Sequence, residues 1–297
     1  MGDYRSVLAP GLFADNSILV TGGGSGVGRC IAHELASLGA HVHIVGRTEQ
    51  KLATVATEIE EDGGSVSLAA CDTRDEERVA EVVADLIKAR GPIHGLVNNA
   101  GGQFPSPLDS ISAKGFAAVV RNNLFGSFHM AREVYTQSMR ENGGSIVNIT
   151  ADCDNGFPGM GHTGAARAGM ENLCKTAAWE WGPQGVRCNA VALGWIESSG
   201  LDTYDENMNE IFRDAARQIP LGRMATEAEA SAVVCFLLSP AAGFINGDTI
   251  HLDGGGRFSS SVTFWPLPEE KSNPVPAFNG FHRATRPKVL EDTPDKN

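Results

Sequence analysis

The segment that most constrains the fold is a glycine-rich run, Thr21-Gly22-Gly23-Gly24-Ser25-Gly26-Val27-Gly28. It joins a short apolar run to a longer amphipathic one, so it predicts a turn between a strand and a helix. Glycines 22, 26 and 28 permit a tight turn, a close backbone approach to a pyrophosphate, and close packing of helix on strand. The run predicts a dinucleotide site formed by Thr21, Gly22, Gly24, Ser25, Gly26, Val27 and Gly28.

Short apolar runs alternate with amphipathic stretches through most of the chain, which is typical of βαβ units. The predicted strands are Ser17 to Thr21, His41 to Gly46, Ser65 to Cys71, Ile93 to Asn98, Ser145 to Thr150, Val186 to Leu193 and Asp248 to Leu252. The predicted helices are Gly26 to Leu38, Glu49 to Glu61, Asp75 to Ala89, Phe116 to Glu141 and Gly161 to Trp181. We therefore predict one α/β domain of Rossmann type, doubly wound around a parallel sheet of about seven strands.

Three regions follow from this pattern: an N-terminal extension over 1–15, the dinucleotide-binding domain over 16–257, and a C-terminal arm over 258–297. Inside the domain, Gly194 to Arg223 is polar and irregular, and it predicts a lid over a substrate cleft. Within it Tyr204, Met208 and Phe212 are spaced as one helical face.

The C-terminal arm is rich in proline, yet it contains Phe264, Trp265, Phe278 and Phe281. Two interpretations stay open. The arm is either an unstructured tail or a segment packed on its own or a neighbouring subunit.

Composition excludes some classes of partner. The formal net charge of -12 opposes nucleic acid and anionic membranes. The six cysteines form no C-x-x-C pair, which is typical of a reduced intracellular protein. No export signal, membrane-length apolar run or peroxisomal C-terminus is present, so we expect the cytoplasm. No cluster has metal-site spacing, and we expect no metal.

The end of the second predicted strand bears on the choice of cofactor. An acidic residue there would select NAD through the ribose hydroxyl, but this strand ends Gly46-Arg47. An arginine pairs with a 2′-phosphate, so the sequence favours NADP(H); the alternative is that Arg47 is a solvated helix residue. Asp72, beside Thr73, is placed to hold the adenine amino group, or else to cap the next helix.

Four motifs in order, Thr21 to Gly28, Asn98-Asn99-Ala100-Gly101, Asn123-Leu124 and Asp253-Gly254-Gly255, together resemble the short-chain dehydrogenase/reductase family over Asn16 to Gly255. The resemblance implies one Rossmann-type domain, a nicotinamide cofactor and assembly as dimers or tetramers. It also implies further cofactor contacts at Asn99, Ala100, Gly101, Gly194, Ile196 and Ser198.

The family uses a catalytic Asn, Ser, Tyr and Lys, and its pattern places Asn123, Thr150, Thr163 and Arg167 at those positions. The chain is similar to a narrower subgroup that also lacks the tyrosine, the 2-enoyl-CoA and 2,4-dienoyl-CoA reductases that resemble the peroxisomal enzymes. The stretch Leu8 to Leu12, the run Gly101 to Phe104, and His162 to Gly169 look most like peroxisomal trans-2-enoyl-CoA reductases.

An alkyl alcohol beside a guanidinium cannot readily donate a proton to a carbonyl, as a phenol beside an ammonium does. We therefore expect Thr163 to stabilise an enolate oxygen while Arg167 holds the nicotinamide ribose and is counted with the cofactor residues. The resemblance implies reduction of the conjugated double bond of an enoyl-CoA by NADPH. Gln103 and Tyr204 are expected at the substrate.

Several points stay open at this level. The acid that protonates carbon is Asp152, Cys153, Asp154, Tyr204 or water. Thr150 either orients substrate or caps its strand, and Asn123 is expected to hold the helix backbone or a structural water. The alternative functions are a 2,4-dienoyl-CoA reductase, a carbonyl reductase or alcohol dehydrogenase with another acid, and a non-catalytic NADP-binding protein.

Overall fold

The computed structural model describes residues 6–258, 272–273, 278 and 281–290. Its main feature is a seven-stranded parallel sheet in the order β3-β2-β1-β4-β5-β6-β9. These strands are β1 (Ser17–Thr21), β2 (His41–Gly46), β3 (Ser65–Ala70), β4 (Gly95–Asn98), β5 (Gly144–Ala151), β6 (Val186–Leu193) and β9 (Thr249–Leu252). Two short strands, β7 (Ile196–Glu197) and β8 (Ala225–Thr226), pair separately beside the sheet.

Helices cover both faces of the sheet. They are α1 (Gly26–Ser37), α2 (Glu49–Glu61), α3 (Glu76–Arg90), α4 (Ala113–Val120), α5 (Gly126–Val134), α6 (Arg140–Asn142), α7 (Gly161–Trp181), α8 (Asn209–Ala215) and α9 (Glu227–Leu238). Two π-helical segments, Arg121–Phe125 and Tyr135–Met139, connect α4, α5 and α6 into one long rod. The structure confirms the predicted α/β class, the seven parallel strands and the doubly wound arrangement.

Alternation along β1 shows why both faces of the sheet are apolar. Ile18 and Val20 pack on the side of α1, α2 and α9, whereas Leu19 packs on the side of α3, α5 and α7. Successive side chains of a strand point to opposite faces, and all three are buried. Strand order reverses between β1 and β4, so the carboxyl ends diverge there and leave a crevice for a ligand.

The lid region is built from several short helical segments rather than one helix. Ser199–Thr203, Glu206–Met208 and Ala216–Gln218 are 3-10 turns around α8. Tyr204 precedes α8 but packs edge-on against Phe212, with ring centroids 5.3 Å apart. The two residues therefore share a surface, but not as one helical face, because Tyr204 lies outside α8.

The described part of the C-terminal arm packs on its own chain. Phe278 and Phe281 are buried against Cys30 and Ala228, on the outer side of α1. Further along, Val289 joins the apolar cluster under the lid. Phe264 and Trp265 lie outside the described residues, as does most of the arm. Within the described ranges, no helix has both the length and the apolarity needed to cross a membrane.

Candidate active site

One cavity of about 960 Å³ runs across the carboxyl ends of the strands. Most residues expected from sequence line it: Gly22, Gly24, Ser25, Val27, Gly28, Arg47, Asp72, Thr73, Asn99, Ala100, Gly101, Gln103, Thr150, Arg167, Gly194, Ile196, Ser198 and Tyr204. Four expected residues, Thr21, Gly26, Asn123 and Thr163, are not among the lining residues. The cavity has two parts, one beside β1 to β4 and one under the lid.

The glycine-rich turn has a geometry that only glycine permits. Gly22 has a φ of +68°, and a Cβ there would lie 2.8 Å from the Asn99 amide nitrogen. Ser25, the residue before α1, forms no side-chain hydrogen bond to the helix. Since the first amides of a helix have no intrahelical acceptors, the start of α1 is suited to an anion. These residues fit the pyrophosphate of a dinucleotide.

Thr21 holds the turn from behind rather than facing the cavity. Its hydroxyl oxygen accepts the backbone N–H groups of Asn99 and Ala100, each at 3.0 Å. The Asn99 amide donates to the carbonyl of Thr21 at 3.0 Å. Thr21 therefore ties the end of β1 to the loop after β4, which positions both loops at the crevice.

The adenosine end of the cavity carries basic side chains. Arg47 and Lys51 both line it, close to Asp72. The Asp72 carboxylate is held by Arg74, whose Nε lies 2.9 Å from Oδ1, and this contact holds its pKa below the usual range. Asp72 is not the cap of α3, because Asp75 accepts the N–H of Arg78 at 3.1 Å.

Arg167 is a buried cation at the centre of the cavity. Only 8% of the residue is exposed, and its Nη1 donates to the carbonyl of Ile149 at 2.6 Å. Among the described residues its Nε has no hydrogen-bond partner. Burial lowers its pKa to about 10, so the guanidinium stays protonated at neutral pH. A buried charge of this kind favours an anion or a polar ligand beside it.

Asn123, one turn into the rod of α4 and α5, has a positioning role. Its amide donates to the carbonyls of Gly102 at 2.7 Å and Val119 at 2.9 Å. Its oxygen accepts the N–H of Gly102 at 3.2 Å. The side chain thus holds the helix and the loop after β4 together, which agrees with the expectation that it binds backbone.

Thr163 lies below the cavity surface, fully buried. Its hydroxyl is 3.3 Å from Nδ1 of His162, and the same nitrogen accepts the backbone N–H of Thr163 at 2.8 Å. His162 in turn meets the ring of Phe104 edge-on. Thr163 is thus not among the residues that line the cavity, whereas Arg167 is.

Thr150, at the end of β5, lines the cavity and donates its hydroxyl to Oε1 of Glu171 at 2.8 Å. Burial raises the pKa of Glu171. The pair links β5 to α7 beside Arg167. The Thr150 hydroxyl donates its hydrogen to Glu171, and its oxygen can still accept a hydrogen bond from a ligand.

The lid closes the other side of the cavity. Gln103 donates its amide to the Tyr204 hydroxyl at 2.8 Å, so the loop after β4 and the lid meet across the opening. Apolar side chains line the space below: Phe157, Met160, Trp195, Leu201, Met208, Ile211, Phe212 and Ile219. This part of the cavity suits an apolar chain that carries a polar reacting group.

Comparison with known proteins identifies the family. The family model described as Enoyl-(Acyl carrier protein) reductase matches residues 22–257. The chain belongs to the short-chain dehydrogenase/reductase family. It is thus an oxidoreductase fold, and membership implies a nicotinamide cofactor at the crevice described above.

Two curated relatives of this short-chain dehydrogenase/reductase are named 2,4-dienoyl-CoA reductases. A probable 2,4-dienoyl-CoA reductase of Bacillus subtilis is 36% identical over 243 residues, which is 80% of this chain and 95% of that protein. The peroxisomal 2,4-dienoyl-CoA reductase of Danio rerio is 33% identical over 267 residues, 88% of each.

A solved structure is more similar in sequence. The citronellol catabolism dehydrogenase AtuB of Pseudomonas aeruginosa PAO1 is 56% identical, with a TM-score of 0.77. The match covers 85% of this chain and 99% of that one.

Sequence reasoning named Asp152 and Asp154 as candidate acids but missed His251, which completes a polar cluster at the cavity wall. His251, on β9, lies 3.8 Å from Asp152 and 3.4 Å from Asp154, both of which follow β5. Asp253, in the family motif after β9, also lines the cavity. Ligand-type atoms of Asp152, Asp154 and His251 lie within 4.8 Å of one another, but nothing else marks the cluster as a metal centre. Asp152 and His251 lie about a hundred positions apart in the chain, so no local spacing pattern predicts that they meet.

Proposed function

We propose that this protein reduces the conjugated double bond of an enoyl-CoA thioester with NADPH. One observation carries the proposal. Where the family places a proton-donating tyrosine the chain has the buried Thr163, and the adjacent cavity wall presents the Arg167 guanidinium instead. A site with a fixed cation and no phenol on α7 is suited to stabilising an anion rather than protonating a carbonyl oxygen.

NADPH, when bound at the crevice, supplies a hydride to the β-carbon of the thioester. The residues of this chain act on the charge that results. In this proposal Arg167, which the sequence favours for the nicotinamide ribose, takes the role first expected of Thr163. Held by its bond to the Ile149 carbonyl, it stabilises negative charge on the thioester oxygen without reorienting. The apolar residues under the lid hold the acyl chain and exclude water, which strengthens that interaction.

NADPH is proposed over NADH on the charges at the adenosine end. Arg47 and Lys51 line that end of the cavity and suit a 2′-phosphate. Asp72 is occupied by Arg74, which offsets its charge. The names of the two curated relatives support an acyl-CoA substrate, and their reaction, 2,4-dienoyl-CoA reduction, is a variant of the same chemistry.

A second candidate function rests on the 56% identity to the citronellol catabolism dehydrogenase. In this alternative, the protein oxidises a branched terpenoid alcohol that is bound in the cavity. The two candidates are compatible in one respect, because each puts an apolar chain in the cavity under the lid. They differ in the reacting group, and the cavity wall at Arg167 favours the thioester.

We also propose a homo-oligomer, a dimer or a tetramer, in the cytoplasm. The rod of α4 and α5 exposes Phe116, Phe125 and Phe128, while Trp179 on α7 is 85% exposed. Apolar side chains grouped on helices of this kind mark surfaces that pair with another copy.

The experiment that separates the two functions uses purified protein in two assays. NADPH oxidation is followed with trans-2-hexenoyl-CoA and with a methyl-branched 2-enoyl-CoA, and NADP⁺ reduction is followed with citronellol. The proposal expects turnover of a thioester and little turnover of citronellol. Rapid citronellol oxidation without thioester reduction would establish the second candidate.

A further inference from the structure

Reduction of an enoyl thioester ends with a proton on the α-carbon, and the residues assigned so far do not supply it. The Arg167 guanidinium is a poor acid, and the Thr150 hydroxyl is engaged with Glu171. The donor must reach the cavity and must regain its proton from solvent after each turnover. The wall formed by the ends of β5 and β9 meets both requirements.

Of the cluster formed by Asp152, Asp154 and His251, Asp152 is the member that lines the cavity. Its backbone N–H donates to the Leu193 carbonyl at 2.9 Å, which fixes the start of the loop on β6. Its carboxylate is 3.8 Å from Nδ1 of His251, and Nε2 of the same ring is 3.4 Å from Asp154. Asp154 is 53% exposed. Titratable groups therefore extend from the cavity to the surface.

The charged groups around Asp152 come from each neighbouring element. The β5 loop contributes Asp154 and Cys153, α7 contributes Glu171 and Arg167, and the end of β9 contributes His251, Asp253 and Arg257. Burial raises the pKa of both Asp152 and Glu171, so these two carboxyl groups hold a proton more readily than exposed carboxylates do.

The proton is held more readily on Asp152 than on Asp253. Burial, followed by the charge of Asp253, raises the pKa of Asp152. Burial also acts on Asp253, but the backbone N–H groups of Arg257 and Gly255 and the Arg257 charge outweigh it and hold the pKa of Asp253 below its ordinary value. Of the two carboxyl groups, Asp152 is therefore the one more able to hold a proton for transfer.

We infer that Asp152 protonates the α-carbon of the reduced thioester, with His251 and Asp154 as the positioning residues that return the proton from solvent. This inference rests on the proposed function. The O–H bond of Asp152 breaks as the new Cα–H bond forms from the enolate electron pair, and the thioester carbonyl is restored. The Asp152 carboxylate then regains a proton from solvent by way of the His251 imidazole and the Asp154 carboxyl group.

The test is steady-state kinetics with trans-2-hexenoyl-CoA and NADPH over a range of pH, in water and in deuterium oxide. Wild-type kcat should fall as pH rises through the titration of the cluster, because the acid loses its proton. Asp152→Asn should lower kcat by about 10²-fold or more, abolish that pH dependence and enlarge the solvent isotope effect, with the Kd of NADPH unchanged. Asp152→Glu, which keeps a carboxyl group, should retain the pH dependence even if Asp152→Asn folds poorly.

Two further variants test the path to solvent. His251→Ala should lower kcat by a smaller factor, about tenfold, and added imidazole should partly restore it. Asp248→Asn, at the other end of β9, is the matched control and should leave the kinetics unchanged. Tyr204→Phe tests the rival acid on the lid and should keep the wild-type pH profile.

Three outcomes of these experiments would contradict different claims. An Asp152→Asn enzyme with wild-type kcat and pH profile would overturn the inference while leaving the proposed function in place. Loss of the pH dependence in Tyr204→Phe, with Asp152→Asn unaffected, would transfer the role to Tyr204. A wild-type enzyme that reduces no enoyl thioester would overturn the proposed function and this inference together.

Discussion

The two parts of the cavity are held by different kinds of contact. The cofactor half, formed by β1 to β4 and their loops, depends on backbone geometry: Gly22 at positive φ, the start of α1, and Thr21 accepting two backbone amides. The substrate half, formed by the loops after β5, β6 and β9 with the lid, depends on side chains brought from distant segments. Backbone requirements leave a pattern in sequence, whereas assembled side chains do not.

Buried carboxyl groups show the same contrast. Outside the cavity lining, Glu227 at the start of α9 lies beside the glycine-rich turn, its Oε1 3.8 Å from where a Cβ on Gly26 would be, and burial raises its pKa to about 7. In the substrate half, Asp152, Asp154 and Glu171 lie near one another and near His251. An isolated buried carboxyl group affects stability, whereas a cluster open to solvent can move protons.

The largest expected effect belongs to the substrate half. Arg167→Met should lower kcat/KM for trans-2-hexenoyl-CoA by about 10³-fold, since it removes the cation that faces the developing charge. Because an unpaired buried charge is costly to the fold, the variant should be no less stable than wild type in thermal unfolding. Arg167→Lys is the matched control and should retain more activity. Normal turnover in Arg167→Met would remove this residue from the mechanism.

The next effect belongs to the cofactor half. Arg47→Asp should weaken NADPH binding by about 1.5 to 3 kcal/mol, the value of a charge-assisted contact, while NADH binding changes little. Fluorescence titration of both cofactors measures this directly, with Arg47→Lys as the control that keeps the charge. An unchanged preference would show that Arg47 is only a surface residue of this loop.

Glu227 gives a stability prediction whose sign follows from its raised pKa. The folded protein holds the proton more tightly than the unfolded chain, so this stabilisation is complete below the ordinary glutamate value and is lost as pH rises through about 7. As the pH rises from 5 to 8, the free energy of unfolding of Glu227→Gln should therefore increase by about 1 to 3 kcal/mol relative to that of the wild type. Urea unfolding at both pH values is the measurement.

Glu229, two residues along the same helix, is the control for that sign. Burial acts on it as well, but Arg223 and the backbone of Thr226 more than offset this and hold its pKa below the ordinary value. The Glu229→Gln variant should accordingly be less stable than wild type at neutral pH, and this difference in the free energy of unfolding should disappear as the pH falls. Equal behaviour of the two variants would contradict the account of Glu227.

The smallest effect is expected at Thr163. Removal of a direct oxyanion donor lowers kcat by about 10²- to 10³-fold. The sequence alone predicts such a loss for Thr163, because it assigns the hydroxyl to the enolate oxygen. The hydroxyl lies under the cavity surface near His162, so Thr163→Val should cost less than 10²-fold, with normal NADPH affinity. Thr163→Ser is the control. A loss of 10² or more would show that the hydroxyl reaches the thioester during turnover.

The sequence predicts most of the fold and the cofactor half. Five elements, β1, β2, β6, α2 and α7, begin and end at the predicted residues, because apolar periodicity marks them locally. It could not predict the cluster around Asp152, since His251 is reached only when β5, β6 and β9 become neighbours in the sheet. Nor could it predict that Thr163 is buried, because that depends on how Phe104 and His162 pack.

The central claim is that the substrate half stabilises an anion and does not protonate a carbonyl oxygen. Its most direct test compares kcat/KM of the wild-type enzyme for trans-2-hexenoyl-CoA and 3-ketohexanoyl-CoA, both with NADPH, because the two thioesters differ only in the reacting group. The account predicts a preference of about 10²-fold or more for the enoyl thioester, the value of the missing acid on oxygen. Equal or faster reduction of the keto thioester would contradict it.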